Sequence, residues 1–353
     1  MRVLRPFSRS ERTAGALSFV VAAWSLSCGG TSTDQSASDP RAGGGGAGAS
    51  DTTKPEPPDP ELDGYDYEME DVTLDADLVV AAGETLRVGP GVTFTASSGV
   101  KVQVSGSLIV EGAAEAPVRW LGAGMPRSWH GIVVERGGKL ELKHVEIGDA
   151  TYGIHALPGS DFVVDYADVG TSFKAALIQS DGSFDHTRFH AAADPLLTDF
   201  SELIVDDING TLTIIDASAS ISNSSFDNSI AIVDMVIIDG DSSPVFDHIH
   251  VKQAHCGFHM VGGTARITNS VFEQLVYGVM AYATAPVIEN SVFRDNANDV
   301  GYCLGATAEQ APALDNNYYS SGAASVDPSC FQIGTQDEHP AAAPNPAAGP
   351  AGP

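Results

Sequence analysis

Basic residues are scarce in this chain. Its 353 residues hold 18 Lys and Arg against 46 Asp and Glu, a formal net charge of −28 at pH 7. Binding to a phosphate backbone or an anionic membrane surface relies on clustered Lys and Arg that release counterions, so neither is expected as a direct partner. Aromatic residues make up 7% and charged residues 18%, a composition that excludes a charge-rich coiled coil. Four cysteines are too few for a disulfide-dense scaffold. The Gly-x-Ser-x-Gly elbow, the P-loop and the dinucleotide fingerprint are all missing, which removes the common signatures of nucleophilic hydrolysis and nucleotide binding.

No apolar run reaches the roughly 20 residues that span a bilayer. The run from Ala14 to Leu26 follows Arg2, Arg5, Arg9 and Arg12, and is closed by Ser27, Cys28, Gly29 and Gly30. A basic start, a short apolar middle and a small-residue exit read as a secretory signal over residues 1–28 rather than a retained membrane helix. Ser25-Leu26-Ser27-Cys28-Gly29 resembles a bacterial lipobox, which implies that Cys28 becomes the lipid-bearing first residue of an outer-membrane lipoprotein. Here Ser25 stands where a lipobox usually has Leu, and plain cleavage after Ser27 would give a secreted protein instead. Residues 29–62 are rich in Gly, Ser, Asp and Pro and bury too little apolar surface to order themselves; they read as a tether. Residues 335–353 form a similar Ala/Pro-rich tail.

Between the tether and the tail, over residues 63–334, the chain repeats. An apolar residue is followed five positions later by another in Leu142/Ile147, Val164/Val169, Phe184/Phe189, Leu203/Ile208, Ile221/Phe226, Phe246/Val251, Ile267/Phe272, Ile288/Phe293 and Leu314/Tyr319. The spacing averages about 21 residues, a solenoid period. Two positions after each first apolar residue stands His144, Tyr166, His186, Val205, Asn223, His248, Asn269, Asn290 or Asn316. Asn is the non-glycine residue that most readily adopts the left-handed conformation, so Asn223, Asn269, Asn290 and Asn316 predict a tight corner in every coil. Asn side chains stacked one coil apart would also hydrogen-bond to one another. Alternating runs such as VKVQVSGSLIV and KLELKHVEI are strand-like, and an all-β domain follows.

Gly83 to Val92, Gly106 to Gly112, Ala116-Pro117-Val118 and Trp129 to Ile132 carry a family likeness. Together they resemble the opening coils of bacterial right-handed parallel β-helix proteins of the pectate-lyase-like kind. The resemblance implies a single-stranded right-handed parallel β-helix and a place in the cell envelope. It says little about activity, because this architecture hosts lyases, hydrolases, adhesins and scaffolds.

For a carbohydrate enzyme of the glycosidase branch, the likeness would supply four short motifs, of which only Asp206-Asp207 is present; these two are the catalytic candidates. A lyase would need a Lys or Arg base beside a calcium-binding carboxylate cluster, yet no Lys or Arg occurs between Phe189 and Val251. That acidic window reads as a solvated face, with Ca²⁺ the one cofactor it would collect. Equating Cys256 to His259, Tyr277 to Met280 and Val300 to Cys303 stacks His259, Met280 and Cys303 on one face, near His255. His, Met and Cys together form a copper-type ligand set. Against that reading, Cys303 and Cys330 make a natural disulfide in an oxidising compartment, which leaves Cys256 as a buried thiol. Lys252, Glu273 and Arg294 should form a charge ladder. The reading favoured by these residues is a non-catalytic binding or structural surface for a carbohydrate or envelope protein, anchored to the membrane only by lipid. A polysaccharide lyase or hydrolase is the alternative, and copper handling the third.

Overall fold

The computed structural model describes residues 64–171, 174–191, 210–228, 234–282, 284–302 and 312–322. Every regular element among them is a β-strand, and the named strands all pair in parallel, in one sheet of 19 strands and one of 10. The coil Gly182–Asp185, Arg188–Ala191, Gly210–Ile215 shows the plan: two short strands meet at a corner, and a third closes the loop on the other sheet. Stacking such coils gives a right-handed parallel β-helix of about ten turns of about 22 residues. No helix among the described residues is long and apolar enough to cross a membrane.

The corner explains the spacing of five. In an uninterrupted strand, residues i and i+5 face opposite sides. Leu142 and Ile147 nevertheless both point inward, because His144 between them has φ +49° and resets the alternation. The same holds at Tyr166 (φ +51°), His186 (+46°), Asn223 (+47°), His248 (+51°), Asn269 (+51°), Asn290 (+51°) and Asn316 (+53°). Phe184, Phe189, Ile221, Phe226, Phe246, Val251, Ile267, Phe272, Ile288 and Phe293 are accordingly buried in one continuous core. Equivalent rings stack along the axis, with Phe189 and Phe226 4.9 Å apart and Phe272 and Phe293 4.8 Å apart. Those distances match the spacing of roughly 4.8 Å between paired strands.

At several corners a backbone N–H turns into the core, where water cannot satisfy it. A buried column of small polar residues supplies the missing acceptor. The amide of Thr187 donates to Ser224 Oγ (3.1 Å), Ile249 to Ser270 Oγ (3.2 Å), Ser270 to Ser291 Oγ (3.2 Å) and Ser291 to Asn317 Oδ1 (2.8 Å). Each serine hydroxyl then donates to the carbonyl two residues before it. On the outside of the corner, the expected Asn-to-Asn bond forms between Asn316 and Asn290 (2.5 Å). Asn223 and Asn269 donate instead to Asp185 (2.8 Å) and Asp247 (2.7 Å) of the preceding coil.

At the opening coils the glycine of Trp129-His130-Gly131-Ile132 is required. Gly131 has φ +115°, and a Cβ there would collide with the Tyr152 carbonyl. Trp129 beside it is buried and donates from Nε1 to the Gly148 carbonyl at 2.8 Å.

Two expectations need correction. Phe184 pairs directly with Ile221, so the pair Leu203/Ile208 and its corner Val205 hold no rung of the ladder. They lie in 192–209, outside the described residues. The ladder also places Gly301, not Cys303, beside Met280. The sequence equivalence was slipped by two residues, a shift that preserves inward and outward alternation and so escapes detection by pattern.

Asn269→Val should lower stability by about 1–2 kcal/mol, the cost of a left-handed backbone at a branched residue. Asn269→Gly should lower it by less than half as much. Urea unfolding midpoints of the two variants check this; equal losses would contradict the role given to the corner conformation.

Candidate binding groove and the donor cluster around Asp234

In three consecutive coils the corner carries a ring, where the later corners carry Asn223, His248, Asn269, Asn290 and Asn316. Because the ladder is in register, the rings must stack: His144 on Tyr166 at 4.8 Å and 20°, Tyr166 on His186 at 4.4 Å and 12°. A tyrosine in the left-handed region is a costly choice, and such outliers concentrate at binding sites. The rings line a groove of about 460 Å³, shared with Ala114 and Pro117 on one wall and Arg188, Asn223 and Ser225 at the far end. From corner 144 to corner 223 there are three coil steps, roughly 14 Å at the spacing of paired strands. The groove is long enough for a short oligomer and open along the axis of the helix.

A strip of charge runs beside the rings, set by the register Arg119, Glu146, Asp168, Arg188. Arg119 donates to Glu146 from two nitrogens (2.7 and 3.3 Å). Arg188 reaches Asp168 (3.4 Å) on one side and Asp227 (3.1 Å) on the other. His190 Nε2 lies 2.6 Å from Asp168. Burial would raise the pKa of Asp168, but His190 and Arg188 outweigh it and hold the carboxyl below its ordinary range. Asp185 behaves likewise: burial is outweighed by donors from Asn223 and Ser222 and by His186. The hydrogen bond to Asp227 pushes Arg188 up. A glycosidic acid needs a carboxyl that keeps its proton near neutral pH, and a lyase base needs a cation that gives its proton up. Asp168 and Arg188 are shifted in the opposite directions.

The expected charge ladder is present: Lys252, Glu273 and Arg294 are paired in register, with Arg294 Nε 2.6 Å from Glu273. Of the acidic window, several described members serve the protein's own donors. Asp216 accepts from the Asp241 amide (3.0 Å), Asp239 from the Gly240 amide (2.7 Å), and Asp247 from Thr268 and Asn269 (2.6 and 2.7 Å).

His255 and His259 converge on a partner that the sequence did not single out. Asp234 lies 3.1 Å from His255 Nδ1 through Oδ1 and 2.6 Å from His259 Nδ1 through Oδ2, and accepts from the Cys256 amide (3.0 Å). Burial would raise Asp234, yet the two histidines hold it far below its ordinary value. The bond to Asp234 raises His255. Burial, reinforced by the charge of Asp234, pushes the Cys256 thiol far up, so it stays protonated in the absence of a cation. Met280 is buried and paired with His259 in the ladder. Cys28, Asp206, Asp207, Cys303 and Cys330 lie outside the described residues.

No family model and no curated protein matches the chain. Among solved structures it is similar to the crystal structure of pectate lyase Pel9A, at 13% identity and a TM-score of 0.45, over 79% of this chain and 82% of that one.

Acid should destabilise the fold in two stages. Burial lowers the pKa of His130, His155 and His250, so the stability gained by keeping them neutral is present above about pH 6.5 and is lost as pH falls toward their folded values. Asp168, Asp185, Asp247 and Glu273 are also depressed; their contribution is present above about pH 4 and is lost below it. Urea midpoints should therefore fall modestly on going from pH 8 to pH 5 and steeply below about pH 4. Asp168→Asn should soften the second stage, and a profile flat to about pH 3 would contradict the assignment.

Proposed function

We propose that the chain is a non-catalytic carbohydrate-binding β-helix of the cell envelope, with the His144, Tyr166 and His186 groove as its binding face. The observation that carries the reading is the row of three stacked rings at left-handed corners, where the fold itself is served as well by Asn. The rings offer imidazole and phenol edges to hydroxyl groups over apolar walls, the mixture that orients a polar ligand in a concave site. A net charge of −28 repels polyanions. Arg119 and Arg188 are already matched by carboxylates. The ligand is therefore an extended neutral polysaccharide rather than a uronate polymer. A membrane-distal position suits such a role: lipid on Cys28 and the tether after it would hold the domain away from the bilayer.

The test is binding of soluble neutral glucans and of uronate polymers to the purified protein, with new reducing ends followed in parallel. A neutral polymer should bind without being shortened. Tyr166→Ala should weaken binding about tenfold or more, the usual cost of truncating an aromatic anchor. New reducing ends would overturn the non-catalytic reading in favour of a polysaccharide lyase or hydrolase. Undiminished binding by Tyr166→Ala would remove the groove from it. Separately, Cys28→Ala should move the protein from the membrane fraction to the soluble one; retention on membranes would contradict the lipid anchor.

A further inference from the structure

The cluster around Asp234 belongs to neither the groove nor its charge strip. It is built by the ladder of the 10-stranded sheet, where Asp234–Asp239 lies against Cys256–Met260 and Val236 pairs with Phe258. Asp234, two residues before that rung, comes opposite Cys256. One carboxylate oxygen of Asp234, one ring nitrogen of His255 and the sulfur of Cys256 all lie within 4.8 Å of one another. His255 Nδ1 stands between the other two, 3.1 Å from Asp234 Oδ1 and 3.4 Å from Cys256 Sγ.

We propose that Asp234, His255 and Cys256 form a binding site for a divalent transition cation of the zinc class, with His259 holding the carboxylate in place from its second oxygen. The distances carry it first. Ligand bonds of about 2.0–2.2 Å to nitrogen and oxygen and about 2.3 Å to sulfur place neighbouring ligands of a tetrahedral ion about 3.4–3.6 Å apart. His255 Nδ1 already stands within a few tenths of an ångström of that separation from both Asp234 Oδ1 and Cys256 Sγ, and all three donors lie within 4.8 Å of one another. The donor chemistry is the second support: carboxylate, imidazole and thiolate together suit a borderline cation, whereas calcium and magnesium favour oxygen alone. Third, Cys256 is fully buried and the Asp234 side chain is 16% exposed, while the His255 side chain is 45% exposed, so the ion has a route in along the imidazole. His259 Nδ1, 2.6 Å from Asp234 Oδ2, takes the part of the outer hydrogen-bond partner that orients a ligating group. Three protein donors leave a fourth position for water or an external ligand.

The experiment titrates Zn²⁺ alone into the reduced, metal-stripped full-length protein, then repeats the titration with Co²⁺ to read the thiolate-to-cobalt charge-transfer band. One ion should bind per chain, and the cobalt protein should show the band. His255→Ala, at a half-exposed side chain, should weaken Zn²⁺ about 100-fold with the circular dichroism unchanged, and His259→Ala about tenfold. Cys256→Ser should abolish the band. Equal Zn²⁺ affinity in the protein and in His255→Ala, or a band that survives Cys256→Ser, would overturn the site.

Discussion

The left-handed corner between the two strands of the 19-stranded sheet is the constraint on which the rest of the molecule depends. Without it, residues five apart would face opposite sides and each coil would lose one of its two core rows. With it, the coils from Leu142 to Phe293 bury an apolar side chain on each side of the corner, and at four places a buried amide is satisfied by Ser224, Ser270, Ser291 or Asn317. An unsatisfied buried amide costs about 1–3 kcal/mol, comparable with the cost of the left-handed residue itself. Where both are present, corner and column stabilise the fold together; the corners at His144, Tyr166 and His248 are followed instead by the buried apolar residues Val145, Ala167 and Ile249.

Register then turns one-dimensional sequence into surface. Identical positions of successive coils stand one strand spacing apart, so three rings at the corner must become a stack and the four charges beside them, two carboxylates flanked by two arginines, a strip. The same geometry that makes Asn a good corner residue makes His144, Tyr166 and His186 a continuous rail. Individually exposed ion pairs such as Arg119 with Glu146 contribute little stability. Their effect is local: Asp168 is held below its ordinary range, and the Arg119 and Arg188 guanidinium groups are already engaged.

Much of the architecture was legible in the residues. The spacing of five, the Asn column and the Lys252, Glu273, Arg294 ladder identified the coils, since a stacked fold repeats the same demand at each turn. Legibility failed where the repeat is imitated or interrupted. Leu203 and Ile208 fall at the right interval, yet Phe184 pairs directly with Ile221, and a slip of two at Val300 leaves the hydrophobic pattern intact while placing Gly301 beside Met280. The donor cluster was half visible: His255 and His259 stood out, whereas Asp234 was one of many acids in its window. Only the pairing of Asp234–Asp239 with Cys256–Met260 brings it to them, a relation between neighbouring coils that composition does not contain.

The ring-lined corner at His144, Tyr166 and His186 is the proposed binding face. Amide hydrogen exchange of the full chain, with and without a saturating neutral glucan oligomer, tests it at residue level. Protection concentrated in residues 144–146, 166–168 and 186–188 is the predicted result. Protection on the strands of the 10-stranded sheet, with none at those corners, would contradict it.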